Sequence, residues 1–123
     1  MNREGHFLDD LAKVLAVLVV EEGSYTYVDK LGNAPSVDLA LHYIREALRD
    51  FHSLLRKGSL EHEELRGLLE DVGRNINRLQ VTLSDVSKIE DRKELRKIVS
   101  LVSSKALALA AFYLIPTKGE EEG

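Results

Sequence analysis

The sequence contains no cysteine or tryptophan, and only two prolines and one methionine among 123 residues. The absence of cysteine excludes disulfides and thiolate metal sites. Scarce methionine, a single glutamine (Gln80) and abundant charged residues are typical of thermophilic proteins. The longest apolar run covers ten residues, 106–115, against the roughly 20 that a membrane-spanning helix needs. Residues 1–10 are mostly polar and acidic where a secretory signal would be apolar, so we expect a cytoplasmic protein.

The residues that are present form a helical pattern. Hydrophobic residues make up 44% of the chain and charged residues 31%, which is typical of one folded domain. Apolar residues recur at helical spacing in four segments, at about residues 7–22, 36–58, 59–83 and 87–115. This pattern predicts an all-α fold, a compact bundle of four to five helices with no significant β-sheet. We expect residues 1–116 to form this single domain and residues 117–123 to form an acidic, disordered tail.

Polar residues and glycines mark the predicted helix ends. Ser36 is a good N-cap for the second helix, and Gly58 is a suitable residue to end it. Ser59 is predicted to cap the third helix. Ser87 followed by Glu90 matches a capping box for the fourth.

Two further features concern glycine-containing segments. Residues 23–35 combine glycines, tyrosines and a Gly-Asn turn signal, which predicts an irregular connection packed against the helices. Gly67 and Gly73 lie inside the predicted third helix. Each weakens it by roughly 1 kcal/mol relative to alanine, or lets another backbone approach closely.

A stripe of basic residues is the most informative polar feature. It lies on the predicted second helix, where successive members are three or four residues apart and Lys57 adds charge at the end: His42, Arg45, Arg49, His52 and Arg56. Guanidinium groups about one turn apart could follow a nucleic-acid backbone, because arginine offers paired donors to phosphate oxygens. The alternative is a solvated helix face whose charge is neutralised by Glu46 and Asp50.

Two other basic groups follow along the chain. Arg74 and Arg78 are one turn apart in a stretch without acidic residues, 73–84, and are further candidates for nucleic-acid contact. The start of the fourth helix carries a third group of basic residues, among which Glu90, Asp91 and Glu94 are interleaved: Lys88, Arg92, Lys93, Arg96 and Lys97. Ion pairs between residues four apart are a sufficient explanation for that group.

The end of the fourth helix is apolar on every side. Residues 106–115 include Leu109, Phe112 and Tyr113. Because so small a domain has difficulty covering all faces of a helix, this segment predicts self-association or docking to a partner. These three residues are the candidate partner-binding residues.

Catalysis has little support in the sequence. There is no glycine-rich phosphate loop, nucleophile elbow or His-Glu-x-x-His motif, and we expect no enzyme activity, cofactor or metal site. The loose arginine–histidine spacing of HEPN ribonucleases occurs twice, at Arg45–His52 and Arg56–His62. About one such match is expected by chance from nine arginines and four histidines.

The order of segments resembles a known family. An apolar first helix precedes Tyr27-Val28-Asp29-Lys30-Leu31-Gly32-Asn33-Ala34, an amphipathic helix follows, and the chain closes with an alanine-rich helix containing Phe112-Tyr113 and an acidic tail. This is similar to the small subunit of the archaeal type I-A CRISPR surveillance complex (Cascade). The resemblance implies a non-enzymatic helical subunit that packs against other subunits of the complex. It also implies contact with guide RNA or target DNA.

Three hypotheses therefore follow from the sequence. The first is a CRISPR interference subunit that contacts nucleic-acid backbone through Arg45, Arg49, Arg56 and Lys57, with Arg74 and Arg78. The second is a helical protein–protein adaptor or dimerisation module with no nucleic-acid role. The third is a HEPN-like ribonuclease.

Overall fold

The computed structural model describes residues 3–23 and 25–114. Six α-helices and one short 3₁₀ turn (Glu63–Leu65) occupy this part of the chain, which contains no strand. The helices are α1 (Arg3–Glu22), α2 (Thr26–Gly32), α3 (Val37–Lys57), α4 (Arg66–Arg74), α5 (Ile76–Val86) and α6 (Arg92–Leu114). The predicted all-α fold is confirmed, with six helices instead of four to five. The predicted helix end at 115–116 and the tail 117–123 lie outside the described residues.

Helix α1 is the centre of the bundle and contacts all five other helices. Every residue from Val14 to Val20 is buried, so this stretch has no solvent face. The sequence pattern indicated only a stripe on this helix. The continuous run of alanine, valine and leucine explains why α1 can be covered on all sides. No helix within the described residues is long and apolar enough to cross a membrane.

The boundaries of α3 agree with prediction. The Ser36 hydroxyl accepts a hydrogen bond from the Leu39 N–H at 3.1 Å, which satisfies a free donor of the first turn. At the other end Gly58 adopts the left-handed conformation (φ 77°), which glycine tolerates without steric cost. Seven apolar residues between these ends are buried against the core.

Three predictions of local structure were wrong, one of a connection and two of helix caps. Residues 23–35 contain a helix, α2, which buries Val28 and Leu31. Ser59 does not cap a helix, because α4 begins only at Arg66 after the 3₁₀ turn. Ser87 donates a hydrogen bond back to the Ser84 carbonyl at 2.7 Å, while Asp91 caps α6 by accepting from two backbone N–H groups at 3.0 and 3.2 Å.

The predicted third helix is two helices, α4 and α5, which are interrupted at Asn75. Asn75 has φ −109° and ψ 12°, outside the helical region, and its side-chain amide donates to the Asp71 carbonyl at 3.3 Å. Asparagine competes for helical hydrogen bonds in this way. The interruption places α5 beside α3, and these two helices border the candidate site.

Candidate nucleic-acid interface

A groove between α3 and α5 gathers most of the predicted basic stripe. We call it the α3–α5 groove; its volume is about 490 Å³. It is lined from α3 by Arg45, Leu48, Arg49, His52 and Arg56, and from α5 and the following turn by Gln80, Leu83, Ser84 and Ser87. Leu48 and Leu83 are buried and form an apolar floor. Spacings of three and four residues on α3 therefore put these arginines on one wall, at the edge of the helix face that enters the core.

The three arginines of the groove carry uncompensated charge. Within the described part of the chain, no carboxylate forms an ion pair with Arg45, Arg49 or Arg56. No acidic residue lines the groove. Three cations along one wall make the α3–α5 groove a site of positive potential that favours an anionic ligand.

The two acids expected to neutralise the stripe do not pair with its arginines. The Glu46 carboxylate is 3.3 Å from His42 Nε2, one turn back on α3. Asp50 accepts a hydrogen bond from the Tyr27 hydroxyl of α2. Burial and this hydrogen bond raise the pKa of Tyr27, so the phenol keeps its proton and remains a donor. The interpretation of the stripe as a self-neutralised solvent face therefore fits only His42, since neither named acid pairs with an arginine of the stripe.

A hydrogen bond joins the two walls of the groove. The Gln80 amide nitrogen lies 2.9 Å from His52 Nε2, so the amide N–H can donate to that ring nitrogen. His52 is thereby held beside Arg49 and Arg56 in the same groove. His42, the first member of the stripe, does not line the groove and pairs with Glu46 instead.

The remaining predicted cations lie elsewhere. Lys57 is exposed at the end of α3 and does not line the groove. Arg74 pairs with Asp71 at 3.2 Å, and Arg78 reaches the buried Asp10 of α1 at 3.5 Å. The structure does not bring these three residues into the α3–α5 groove, and two of them already have carboxylate partners.

The third basic group makes long-range contacts. Arg92 pairs with Asp38 of α3 at 3.2 Å, and Arg96 donates to the Ala34 carbonyl at 3.0 Å. Both contacts tie α6 to the residues that precede or begin α3. This agrees with a structural interpretation of the group, through different partners from those that the sequence indicated.

The candidate partner-binding residues differ in exposure. Phe112 is 74% exposed, whereas Leu109 and Tyr113 are half-buried and pack against the core. Leu109 and Phe112 also line a second groove of about 440 Å³ between α1 and α6, together with Asp9, Ala12, Lys13, Lys105 and Ala108. We call this the α1–α6 groove. Its rim carries both signs of charge, since Lys105 pairs with Asp9 at 3.4 Å.

The two arginine–histidine matches have different environments. Arg45 and His52 line one groove. His62 instead lies with Nδ1 3.2 Å from the Glu21 carboxylate, in a contact that holds the turn after α3. Among the described residues no group of three or more histidine and acidic side chains is arranged to hold a metal ion.

Sequence reasoning missed the second wall of the α3–α5 groove. Ser84 was not singled out, Ser87 was considered only as a helix cap, and Gln80 was noted only as the single glutamine of the chain. Their spacing of four and three residues was the available signal, since it places them on one side of α5 and its end. That α5 would face the arginines depends on the interruption at Asn75, which the sequence pattern did not indicate.

A comparison with curated proteins identifies one relative. An uncharacterized protein of Archaeoglobus fulgidus is 54% identical over 103 residues, which cover 84% of this chain and 87% of the relative. The chain belongs to the family of this archaeal protein. No protein-family model matches the chain. No solved structure matches it.

Proposed function

We propose that this chain is a non-enzymatic nucleic-acid-binding subunit that contacts the sugar-phosphate backbone through the α3–α5 groove. The observation that carries the proposal is the wall formed by Arg45, Arg49 and Arg56, which have no carboxylate partner in the described residues. Guanidinium groups bind phosphate through two parallel hydrogen bonds, and they do so without reading the base sequence.

The arrangement along α3 suits a linear polyanion. At about 1.5 Å rise per residue, Arg45 and Arg49 are about 6 Å apart along the helix, and Arg56 is about 10 Å further on. A row of this length could contact several successive phosphates of one strand. A single small anion would use only one or two of the three arginines.

The resemblance to the small subunit of the type I-A CRISPR complex supplies the proposed setting. In that setting the α3–α5 groove would provide sequence-independent contacts to guide RNA or target DNA. The exposed Phe112 of α6 would pack against another subunit. This assignment depends on the resemblance and remains a prediction.

Charge removal in the groove tests the proposal. We expect the triple variant Arg45→Ala, Arg49→Ala, Arg56→Ala to bind a fluorescent single strand at least ten-fold more weakly at low salt. Each lost phosphate contact should also flatten the slope of log affinity against log salt by about 0.7. The control variant Arg92→Ala, Lys93→Ala, Lys97→Ala removes the same charge outside the groove and should change affinity by less than three-fold.

The binding results also separate the alternatives. Equal losses of affinity in the two triple variants would show that binding depends only on net charge, and would contradict the groove proposal. A wild-type chain that binds neither DNA nor RNA at low salt, but binds a protein subunit, would favour the adaptor.

A ribonuclease is the second candidate because Arg45 and His52 share the groove. A histidine beside arginines could move a proton while the arginines stabilise charge on phosphate. Incubation of the chain with labelled single-stranded RNA should give no cleavage if the proposed binding function is correct. Cleavage that is lost in His52→Ala would establish the enzyme instead.

A further inference from the structure

The two walls of the α3–α5 groove have different chemistry. The α3 wall is cationic, whereas Gln80, Ser84 and Ser87 form a neutral polar wall on α5 and its end. Leu48 and Leu83, 3% and 5% exposed, form an apolar floor between them. A surface that only attracts phosphates needs neither the apolar floor nor the polar wall. This combination is typical of a site that also holds an uncharged, flat, hydrogen-bonding group.

We infer that the α3–α5 groove holds one unstacked nucleotide of a single strand, with the base on the Leu48–Leu83 floor and the adjoining phosphates on the arginines. This inference rests on the proposed function, since it names the ligand class of the same site. The groove volume of about 490 Å³ falls within the range of about 300–1,000 Å³ that is usual for sites of small organic ligands. A duplex keeps its bases stacked and paired, so a single strand would be preferred.

Hydrogen-bonding groups on the α5 wall are available to the base or sugar. The Gln80 amide nitrogen can donate to His52, and its carbonyl oxygen has no partner in the described part of the structure. The Ser84 hydroxyl likewise makes no hydrogen bond to a described residue, while the Ser87 hydroxyl donates to the Ser84 carbonyl. His52 supplies the one aromatic ring among the residues that line the groove, so the base would stack on this ring or a guanidinium plane and on leucine.

The experiment compares strands that differ only in their bases. The full chain is titrated with fluorescent 12-nucleotide strands of DNA and of RNA, an abasic DNA strand with the same phosphates, and a duplex. We expect the base-bearing DNA strand to bind at least ten-fold more tightly than the abasic strand, and more tightly than the duplex. Tighter binding of RNA than of DNA would add a contact to the ribose hydroxyl.

A second experiment fills the groove with a larger side chain. Ser84→Leu adds bulk to the α5 wall without removing a cation, so it should reduce the preference for base-bearing strands to less than three-fold and leave the salt slope unchanged. Ser104→Leu adds the same bulk on α6, outside the groove, and should preserve the ten-fold preference.

The outcomes distinguish this inference from the proposed function. If base-bearing and abasic strands bind within two-fold of each other while the arginine triple variant still weakens both, the nucleotide site is wrong and backbone binding stands. If no strand binds at low salt, both are wrong. A preference for bases that survives Ser84→Leu would place the base elsewhere and overturn the inference.

Discussion

Glu21 shows how one carboxylate can organise a turn. Its oxygens accept hydrogen bonds from the backbone N–H groups of Glu61 and His62 at 3.1 and 2.7 Å, and the His62 ring lies 3.2 Å away. Burial by itself raises the pKa of Glu21, but these hydrogen bonds outweigh it, and the net pKa lies below the usual value. The end of α1 thereby fixes residues 58–62, which contain no helix of their own.

The lowered pKa predicts acid sensitivity. A carboxyl whose folded-state pKa is depressed stabilises the fold fully above its unfolded-state pKa, about 4.3, and this contribution is lost as the pH falls through the folded-state value. Glu21→Gln should therefore lower the free energy of unfolding at pH 7 by about 2 kcal/mol, the usual worth of hydrogen bonds to a charged group. Urea unfolding between pH 3 and 7 should show a smaller difference from wild type at the acid end.

Glu22 is the matched control for that experiment. Burial, Asp50 and Glu21 all raise the pKa of Glu22, so its ionisation at pH 7 opposes folding. Glu22→Gln should be neutral or stabilising at pH 7, the opposite sign to Glu21→Gln. Equal destabilisation by both variants would contradict the assigned role of Glu21.

At the scale of single helices, α4 contains two glycines with different surroundings. A Cβ added at Gly67 would meet nothing within 4 Å, whereas one added at Gly73 would lie 3.1 Å from Leu55 Cδ2 of α3. The close approach expected from the sequence therefore occurs only at Gly73, and it involves a side chain. Gly67 costs helix stability with no packing in return.

Alanine substitution should separate these two glycines. Gly67→Ala should raise the free energy of unfolding by about 0.5–1 kcal/mol, because alanine reduces the freedom of the unfolded chain. Gly73→Ala gains the same stabilisation from the reduced freedom of the unfolded chain, but its Cβ must displace Leu55. The net change in the free energy of unfolding should therefore be smaller or of opposite sign. Thermal unfolding followed by circular dichroism measures both. A larger increase in the free energy of unfolding for Gly73→Ala than for Gly67→Ala would show that Leu55 of α3 moves aside without a cost in stability.

The elements that sequence reasoning identified well are those with long apolar repeats and strong caps. Helix α3 has both, and Ser36 and Gly58 end it as predicted. Helix α2 has only seven residues, too few for its apolar spacing to stand out from a turn between two glycines. The choice of Asp91 over Ser87 as a cap depends on tertiary packing, because both residue types are good N-caps.

At the scale of the whole molecule, the predictable part of the candidate site was the part on one helix. Arg45, Arg49 and Arg56 share a wall because helical periodicity alone requires it. Arg78 pairs with Asp10, which is 68 residues away, and no local sequence pattern reveals that pair. The same holds for the α5 wall, since Gln80 meets His52 across 28 residues.

The α1–α6 groove supports the last prediction, which concerns assembly. Phe112 is exposed and lines this apolar groove, and the charges on the rim are paired within the chain, Lys105 with Asp9 and Lys13 with Asp71 at 2.7 Å. An exposed ring and an apolar groove on one patch can contact the same patch of a second copy, which is what the isologous interface of a two-fold dimer requires. We therefore expect a second copy of the chain to occupy this groove.

Phe112→Asp should weaken that dimer without unfolding the monomer. Because the ring is 74% exposed, the free energy of unfolding should change by only about 0.5 kcal/mol. Sedimentation velocity over a concentration series should show the variant shifted towards monomer. Ala110→Asp, at a fully buried position one turn from Ala106, should instead destabilise by several kcal/mol, because it buries an unpaired charge. If Phe112→Asp destabilises the monomer as much as Ala110→Asp does, the segment belongs to the core. If wild type and Phe112→Asp give the same sedimentation over the concentration series, the predicted dimer is wrong.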